Sequence, residues 1–264
     1  MSRRPGFPLR LDLPAAKPLS ANKAAVSPGA GAIGDAASRH ASAPAGIGLD
    51  SQAVRARMVQ KLVAQGVADP QVLAAMHAVE RHRFVDSALV NQAYEDTSLP
   101  IGLGQTISKP NVVARMVELL LGGSKDASGR LGRVLEIGTG CGYQAAVLSR
   151  VCAEVYSIER LRGLHDKARA NLRPFRLANV HLLFGDGMAG YAKGAPYAGI
   201  IAAAGGEAVP QAWIEQLAIG GRILAPTLMP TGRQALVMIE KTPREMKQTV
   251  LETVHFVPLK SGIA

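Results

Sequence analysis

Short apolar runs alternate with helical patterns over the second half of the chain, and this alternation predicts the fold. Five apolar runs, typical of buried strands, are interleaved with three stretches in which apolar side chains recur every three or four positions. The runs are RVLEIG, EVYSIE, VHLLFGDG, AGIIAAA and GRILAP, and the helical stretches are YQAAVLSRV, GLHDKARANLRPF and PQAWIEQLA. Alternation of this kind indicates a parallel sheet with crossover helices.

Two further apolar runs, QALVMIE and TVLETVHFVPL, follow without a helix between them. Consecutive strands with a short connection pair antiparallel, so we expect them to close one edge of the sheet. The predicted fold class is therefore α/β. It is a Rossmann-like, doubly wound, seven-stranded and mostly parallel sheet with an antiparallel edge pair, preceded by N-terminal helices.

Three helices are predicted before this sheet. Apolar residues such as Met58 and Leu62 recur at helical spacing in SQAVRARMVQKLVAQG. A second helix begins with Asp69 as its N-cap and Pro70 at the first helical position. A third begins near Asn111, in NVVARMVELLLGG, and stops at its glycines.

The first 50 residues differ from the rest, since they are rich in Ala, Pro, Ser and Gly and show no apolar periodicity. Such a segment cannot bury enough surface to offset its ordering entropy, so we expect a disordered tail over 1–50. A mitochondrial-type presequence is the alternative, and its aspartates and poor amphipathicity count against it. Residues 51–264 form the predicted folded domain, with a helical and active-site segment at 51–121 and the sheet core at 131–264.

Composition narrows the possible partners and compartments. The net charge of +10 raises nucleic acid as a partner, but an aromatic content of 4% is too low for a base-stacking platform. No apolar run approaches the roughly 20 residues of a membrane span. The two cysteines, Cys141 and Cys152, form no CxxC or His/Cys cluster and suit a reducing compartment. We expect a cytoplasmic protein with no metal, no membrane association and no nucleic-acid partner.

The strongest local motif is VLEIGTGCGYQ, in which a predicted strand runs into Gly138, Gly140 and Gly142 before a helix. Glycines there permit a tight turn and close backbone approach to a ligand, and the helix N-terminus adds free N–H donors. A dinucleotide fingerprint would require glycine at Tyr143, and a phosphate-binding P-loop would require a following Lys-Ser/Thr. The helix N-terminus should also favour the thiolate of Cys141.

The spacing E-x-G-x-G-x-G from Glu136 resembles the cofactor loop of class I methyltransferases, which bind S-adenosyl-L-methionine. Glu159 ends the next predicted strand, where a carboxylate can accept hydrogen bonds from both ribose hydroxyls. Asp186 ends the strand after that, where the resemblance implies a contact with adenine. The resemblance also implies that Glu136 supports the methionine part of the cofactor.

The segment LPIGLGQTISKP is compatible with a helix cap at Ser108, because serine followed by Pro110 suits a helix start. Its wider context, from Ala93 to Leu120, closely resembles the N-terminal motif of protein-L-isoaspartate O-methyltransferases. The match continues through RVLEIGTGCGYQAAVLS, SIERLRGL, NVHLLFGDG, EQLAIGGRILAP and HFVPL, and spans Ser51 to Leu259.

This resemblance implies a monomeric repair enzyme whose substrates are damaged, isoaspartyl proteins and peptides. The enzyme methylates the free α-carboxylate of L-isoaspartyl residues, and the ester then closes to a succinimide. Ser108 is the implied catalytic residue, a hydroxyl that positions the carboxylate without acting as a nucleophile. The implied cofactor-binding residues are Thr106, Ile107, Glu136, Gly138, Thr139, Gly140, Gly142, Glu159, Asp186 and Gly187.

The fourth predicted strand departs from the family pattern, because the family's Asp is Ala198 and its Thr is Ala203. Further changes follow at 205–208 and 225–228, and we expect all of these positions at the carboxyl ends of strands, on the peptide side of the site. Two alternatives therefore stay open. One is a cofactor-binding paralogue with an altered acceptor or no catalysis. The other is methyl transfer to RNA, which only the net charge and the shared cofactor fold favour.

Overall fold

A seven-stranded sheet forms the centre of the protein, whose computed structural model describes residues 52–123, 125 and 129–264. The tail expected over 1–50, and Ser51 at the expected domain start, lie outside these residues. The division of the folded part into two segments stays a prediction.

The strand order of the sheet is β5-β4-β3-β6-β7-β8-β9. Strands β3 to β7 run parallel, and β8 is antiparallel to both of its neighbours, which confirms the predicted fold class and edge pair. A separate two-stranded hairpin consists of β1 and β2. The strands are β1 Leu99–Gly102, β2 Gln105–Ile107, β3 Leu131–Ile137, β4 Cys152–Glu159, β5 Val180–Phe184, β6 Tyr197–Ala202, β7 Leu217–Leu228, β8 Gln234–Lys241 and β9 Met246–Val254.

Within residues 52–123 and 129–264, six α-helices accompany the strands. They are α1 Gln52–Ala64, α2 Pro70–Ala78, α3 Pro110–Leu121, α4 Tyr143–Val151, α5 Arg162–Leu172 and α6 Gln211–Gln216. In the part of the chain that the structure describes, none of the helices has the length and apolar character needed to cross a membrane.

Successive side chains of a strand point to opposite faces of the sheet. Both faces of the parallel sheet are covered, so neighbouring residues of one strand enter different buried clusters. Val134 of β3 belongs to the buried cluster that includes Val117 of α3. Its neighbour Leu135 belongs to the cluster on the other face, which includes Trp213 of α6. Helices thus cover both faces, and the open edge at the carboxyl ends of the strands is free to hold a ligand.

The helix starts follow the sequence signals in one case and depart from them in another. Asp69 caps α2 as predicted, since its carboxylate accepts hydrogen bonds from the backbone of the first turn. The expected cap at Ser108 is wrong. Lys109 is the N-cap residue of α3 and makes no side-chain capping bond, whereas Asp96 Oδ1 accepts from Asn111 N at 2.9 Å. A carboxylate from a preceding loop therefore takes the capping role and leaves Ser108 one residue outside the helix.

Arg81 is a fully buried cation that joins three parts of the chain. Its Nε donates to Ala93 O at 2.7 Å and its Nη2 to Thr97 O at 3.5 Å, in the segment that leads into β1. Its guanidinium lies 4.7 Å from the ring centroid of Tyr143, the first residue of α4. Arg81 thus fixes the β1 segment against the helix that follows the glycine loop.

We expect Arg81→Leu to lower the free energy of unfolding by about 2–4 kcal/mol, because the substitution leaves two carbonyls without their donor inside the protein. Arg83→Leu is the matched control, since Arg83 is half-exposed and its ion pair with Glu80 contributes under about 1 kcal/mol. Urea unfolding followed by circular dichroism measures both changes. Equal losses in the two variants would contradict the role given to Arg81.

Candidate active site

The β1–β2 hairpin carries Thr106, Ile107 and Ser108 to the open edge of the sheet. Residues 102–104 at its tip all have positive φ, including Leu103 at 52°, a strained conformation for a residue with a side chain. Lys167 Nζ of α5 donates to Ile101 O at 2.7 Å and holds the hairpin against the core.

The glycine loop between β3 and α4 follows the geometry that its sequence predicts. Gly138, Gly140 and Gly142 have φ values of 89°, 58° and 92°, a region that glycine adopts without a steric penalty. Glu159, at the end of β4, accepts from Gly140 N and from Leu161 N, both at 2.9 Å. Each carboxylate oxygen keeps a second lone pair, so Glu159 can still accept hydrogen bonds from a ligand.

Glu136 is a fully buried acid beneath the glycine loop. Ser157 Oγ donates to its Oε2 and lies 2.6 Å from Thr139 Oγ1. Burial raises the pKa of Glu136 to about 8, against the opposing effects of Ser157 and of the nearby Gln144 amide. Among the described residues, Glu136 Oε1 and Gln144 Nε2 have no partner with hydrogen-bond geometry, although the two side chains are close enough for the amide to favour the ionised carboxylate.

A first cavity of about 450 Å³ lies between the hairpin, the glycine loop and the end of β4. Its volume is typical of a small-molecule site. Gln144 lines this cavity, and its amide Nε2 is buried without a hydrogen-bond partner among the described residues. Eight of the predicted site residues line it as well, namely Thr106, Ile107, Ser108, Gly138, Thr139, Gly140, Glu159 and Gly187.

Three predicted cofactor residues lie outside the lining of this cavity. Glu136 is below it, and a side chain on Gly142 would press against Leu172 of α5. Asp186 Oδ1 accepts from Met188 N at 2.8 Å, and its Oδ2 accepts from Gly262 N at 2.7 Å. Their roles toward a cofactor stay predictions.

A second cavity of about 1030 Å³ adjoins the first. Its walls come from the segment 96–116 on one side and from β7, β8, β9 and the following loop on the other. Both cavities are lined by the same four residues, which we call the junction: Thr106, Ser108, Ala203 and Val257. Within the described part of the chain, the Ser108 hydroxyl forms no hydrogen bond and is free to meet a ligand from either side.

The sequence does not reveal the loop 255–260 as part of the site, because HFVPL has the pattern of a strand end. The structure ends β9 at Val254 and turns the following residues toward the cavities. Gln234 holds this loop, since its Oε1 accepts from Phe256 N at 2.7 Å and its Nε2 donates to Phe256 O at 3.3 Å. A single glutamine at the start of a strand does not indicate which loop it will bind, so the sequence alone is too weak a signal to reveal this role.

The two alanines that depart from the family pattern occupy different places. Ala203 follows the carboxyl end of β6 and is a junction residue, as expected. The expectation for Ala198 is wrong, because Ala198 is the second residue of β6 and lies at the opposite end of that strand. A side chain on Gly132 would meet its methyl group, so Ala198 is a packing position remote from the cavities.

Cys141 is buried within the glycine loop, and this burial opposes the effect that the helix N-terminus has on its thiol. Burial raises the pKa of its thiol to about 11, which outweighs the opposing effects of nearby backbone groups and of Arg81. Burial also raises the pKa of Cys152 to about 12. Neither thiol is therefore a nucleophile at neutral pH.

Comparison with known proteins decides the family. The family described as protein-L-isoaspartate(D-aspartate) O-methyltransferase matches residues 53–264. The chain belongs to this family.

Bacterial members of the family resemble the chain over most of its length. The protein-L-isoaspartate O-methyltransferase of Methylibium petroleiphilum is 56% identical over 263 residues, which cover 98% of this chain and 96% of the relative. That of Leptothrix cholodnii is 58% identical over 220 residues, covering 83% of this chain and 77% of the relative.

Solved structures with the name of the family share the fold. One protein-L-isoaspartate O-methyltransferase superimposes with a TM-score of 0.70 at 29% identity, covering 79% of this chain and 67% of its own. A Plasmodium falciparum structure, in complex with S-adenosyl-L-homocysteine, has a TM-score of 0.66 at 20% identity and covers 78% of this chain and 98% of its own. The latter likeness concerns the fold alone.

Glu136→Gln should change the pH dependence of stability in the cofactor-free protein. The folded carboxyl keeps its proton up to about pH 8, whereas the unfolded one loses it near 4.5. Between these values folding takes up a proton, so the free energy of unfolding falls as pH rises, by at most about 1.4 kcal/mol per pH unit. Glutamine does not titrate, so we expect the variant to gain stability relative to the parent from pH 5 to pH 8.

Urea unfolding at several pH values measures this difference. Glu207→Gln is the control, since Glu207 is exposed and its substitution should leave the pH dependence of the parent unchanged. Parallel curves for Glu136→Gln and the parent would show that the carboxyl is ionised in the folded protein.

Proposed function

We propose that this chain is a protein-L-isoaspartate O-methyltransferase that uses S-adenosyl-L-methionine and methylates the free α-carboxylate of L-isoaspartyl residues in damaged proteins. The ester then closes to a succinimide, which starts the repair. The observation that carries the proposal is the junction. A cavity of small-molecule size and a larger cavity meet at Ser108, as a transfer between a cofactor and a polypeptide requires.

The residues of the first cavity fit S-adenosyl-L-methionine. Its amino-acid part has an ammonium group and a carboxylate. Gln144 lines the cavity with a side-chain amide that suits the carboxylate, and Glu136, buried below the lining, supports the ammonium from beneath. Its ribose has two hydroxyl donors, which suit the remaining lone pairs of Glu159. When bound, the cofactor supplies an electrophilic methyl group. The Plasmodium falciparum structure with S-adenosyl-L-homocysteine supports this choice.

The junction suits an acceptor that needs no deprotonation. None of its four side chains titrates near neutral pH, and an isoaspartyl carboxylate with an ordinary pKa of about 4 is already ionised. The chain therefore has to hold the carboxylate in place, and such positioning can lower a barrier by roughly 7–11 kcal/mol. Ser108 donates a hydrogen bond to one carboxylate oxygen and leaves the other to react. Ala203 and Val257 keep water from the junction.

The comparisons do not favour the alternatives. The chain is similar to enzymes of one name over almost its whole length. One of the four departures from the family pattern, Ala198, is far from the site. Ala203 replaces a hydroxyl by a methyl group and leaves Ser108 and Thr106 as the hydroxyls of the junction. A monomeric, metal-free enzyme in the cytoplasm stays a prediction.

Methyl transfer from labelled S-adenosyl-L-methionine tests the activity directly. The acceptors are a peptide with one L-isoaspartate and its twin with normal aspartate. We expect label in the isoaspartyl peptide alone, released as methanol when the ester closes to the succinimide. No transfer to either peptide, with cofactor binding confirmed by calorimetry, would overturn the proposal.

Ser108→Ala should lower kcat about 10- to 100-fold, because one hydrogen bond to a charged group contributes about 1.5–3 kcal/mol. Cofactor affinity should stay within about twofold of the parent, since the hydroxyl acts on the acceptor. Ser87→Ala, at an exposed serine in a separate 3-10 helix, is the control and should leave both quantities unchanged. A parallel loss of kcat and cofactor affinity would contradict the role of Ser108.

A further inference from the structure

The second cavity has an uneven distribution of charge. Three cationic side chains line it, Lys109, Arg115 and Arg233, together with two carboxylates, Asp96 and Glu252. The hydrogen bonds and ion pairs of these five side chains separate them into two groups, which interact differently with a ligand.

The carboxylates and Arg115 are already engaged. Asp96 accepts from Asn111 N and from the Gln65 amide, so its charge is opposed by the positive end of α3. Arg115 Nε lies 3.7 Å from Glu252 Oε1, and Arg115 Nη1 donates a hydrogen bond to Glu118 Oε2 at 3.0 Å. The charge of Glu252 is therefore opposed by Arg115 and that of Asp96 by the positive end of α3, so neither carboxylate is without a positive partner.

Lys109 and Arg233 are the cations left without a counter-charge. In the described part of the chain neither side chain forms an ion pair or hydrogen bond, and both are exposed to the cavity. Lys109 directly follows Ser108, and Arg233 belongs to the turn between β7 and β8 on the other wall. Two unpaired cations thus line the same cavity as Ser108, in the space that an acceptor polypeptide would occupy.

The position of Lys109 does not serve the stability of α3. It is the N-cap residue, where a cation meets the positive end of the helix and a side-chain acceptor is preferred. The Lys109 side chain makes no capping bond. A lysine there adds instead to the positive potential beside the junction, and the walls of a cleft strengthen such a potential.

Resting on the proposed function, we infer that the second cavity favours isoaspartyl segments flanked by acidic residues, with Lys109 and Arg233 as the specificity-determining side chains. The cavity lining favours a polypeptide over a nucleic acid. Among the described residues its lining has two rings, those of His255 and Phe256, which are adjacent in sequence, so a longer run of bases finds no extended platform for stacking.

Three isoaspartyl peptides test this inference, identical except that Glu, Gln or Lys stands on both sides of the isoaspartate. We expect KM to be lowest for the Glu peptide and highest for the Lys peptide, with kcat alike. Each charge contact should contribute about 1.5- to 5-fold in KM, as exposed ion pairs do. The differences should shrink between about 0.05 and 0.5 M salt, where the screening length falls below about 5 Å.

Arg233→Gln and Lys109→Gln should each lower the preference for the Glu peptide over the Gln peptide, and the double variant should abolish it. Arg244→Gln is the matched control, because Arg244 is an exposed arginine in the turn between β8 and β9, at the other end of β8. It should keep the full preference.

Several outcomes would overturn the inference. One is equal KM values for the three peptides, and another is a preference that survives in the double variant. An equal rise of KM for all peptides in Lys109→Gln would assign Lys109 to the reacting carboxylate instead. Competition by a single-stranded RNA oligonucleotide that Arg233→Gln relieves would mean that the cavity binds polyanions in general. Failure of the proposed function is distinct, because the Gln peptide would then not be methylated at all.

Discussion

The site depends on one constraint, the attachment of the glycine loop to strand β4. The loop adopts backbone conformations that only glycine reaches without strain, so its shape has to be held from outside. Ile158 O accepts hydrogen bonds from Gly138 N and Thr139 N. The Glu159 carboxylate accepts from Gly140 N in the loop and from Leu161 N, two residues further along its own chain segment. The parallel register of β3 and β4 brings these groups together, and the first cavity forms above them.

A buried acid completes the same attachment and carries a cost. Glu136 and Ser157 are register partners on β3 and β4, and the Ser157 hydroxyl links the acid to Thr139 of the loop. Burial without an opposing cation holds the pKa of Glu136 near 8, so the folded protein keeps a proton that water would remove. A positively charged ligand beside Glu136 would reverse this preference. Binding of such a ligand therefore offsets the cost of burying the acid.

The sequence predicts the sheet, the helices and the cofactor loop well, because these depend on local periodicity and on glycines at fixed spacing. Prediction from the sequence fails where a feature depends on contacts between residues that are far apart in the chain. The cap of α3 comes from Asp96, which no pattern around Ser108 reveals. The state of Cys141 depends on burial, which outweighs the local helix terminus, and the place of Ala198 depends on where β6 begins. The sequence does not predict that the loop after β9 lines the site, because the apolar residues of this loop have the pattern of a strand.

The junction joins chain segments that are far apart in sequence, since Ser108, Ala203 and Val257 each come from a different part of the fold. Local opening of the hairpin or of the loop held by Gln234 would break both cavities together. Loss of cofactor binding and loss of acceptor binding are thus a single event on this scaffold. Catalysis therefore requires the intact tertiary structure. A partly unfolded copy of this repair enzyme loses its activity and does not act on other substrates.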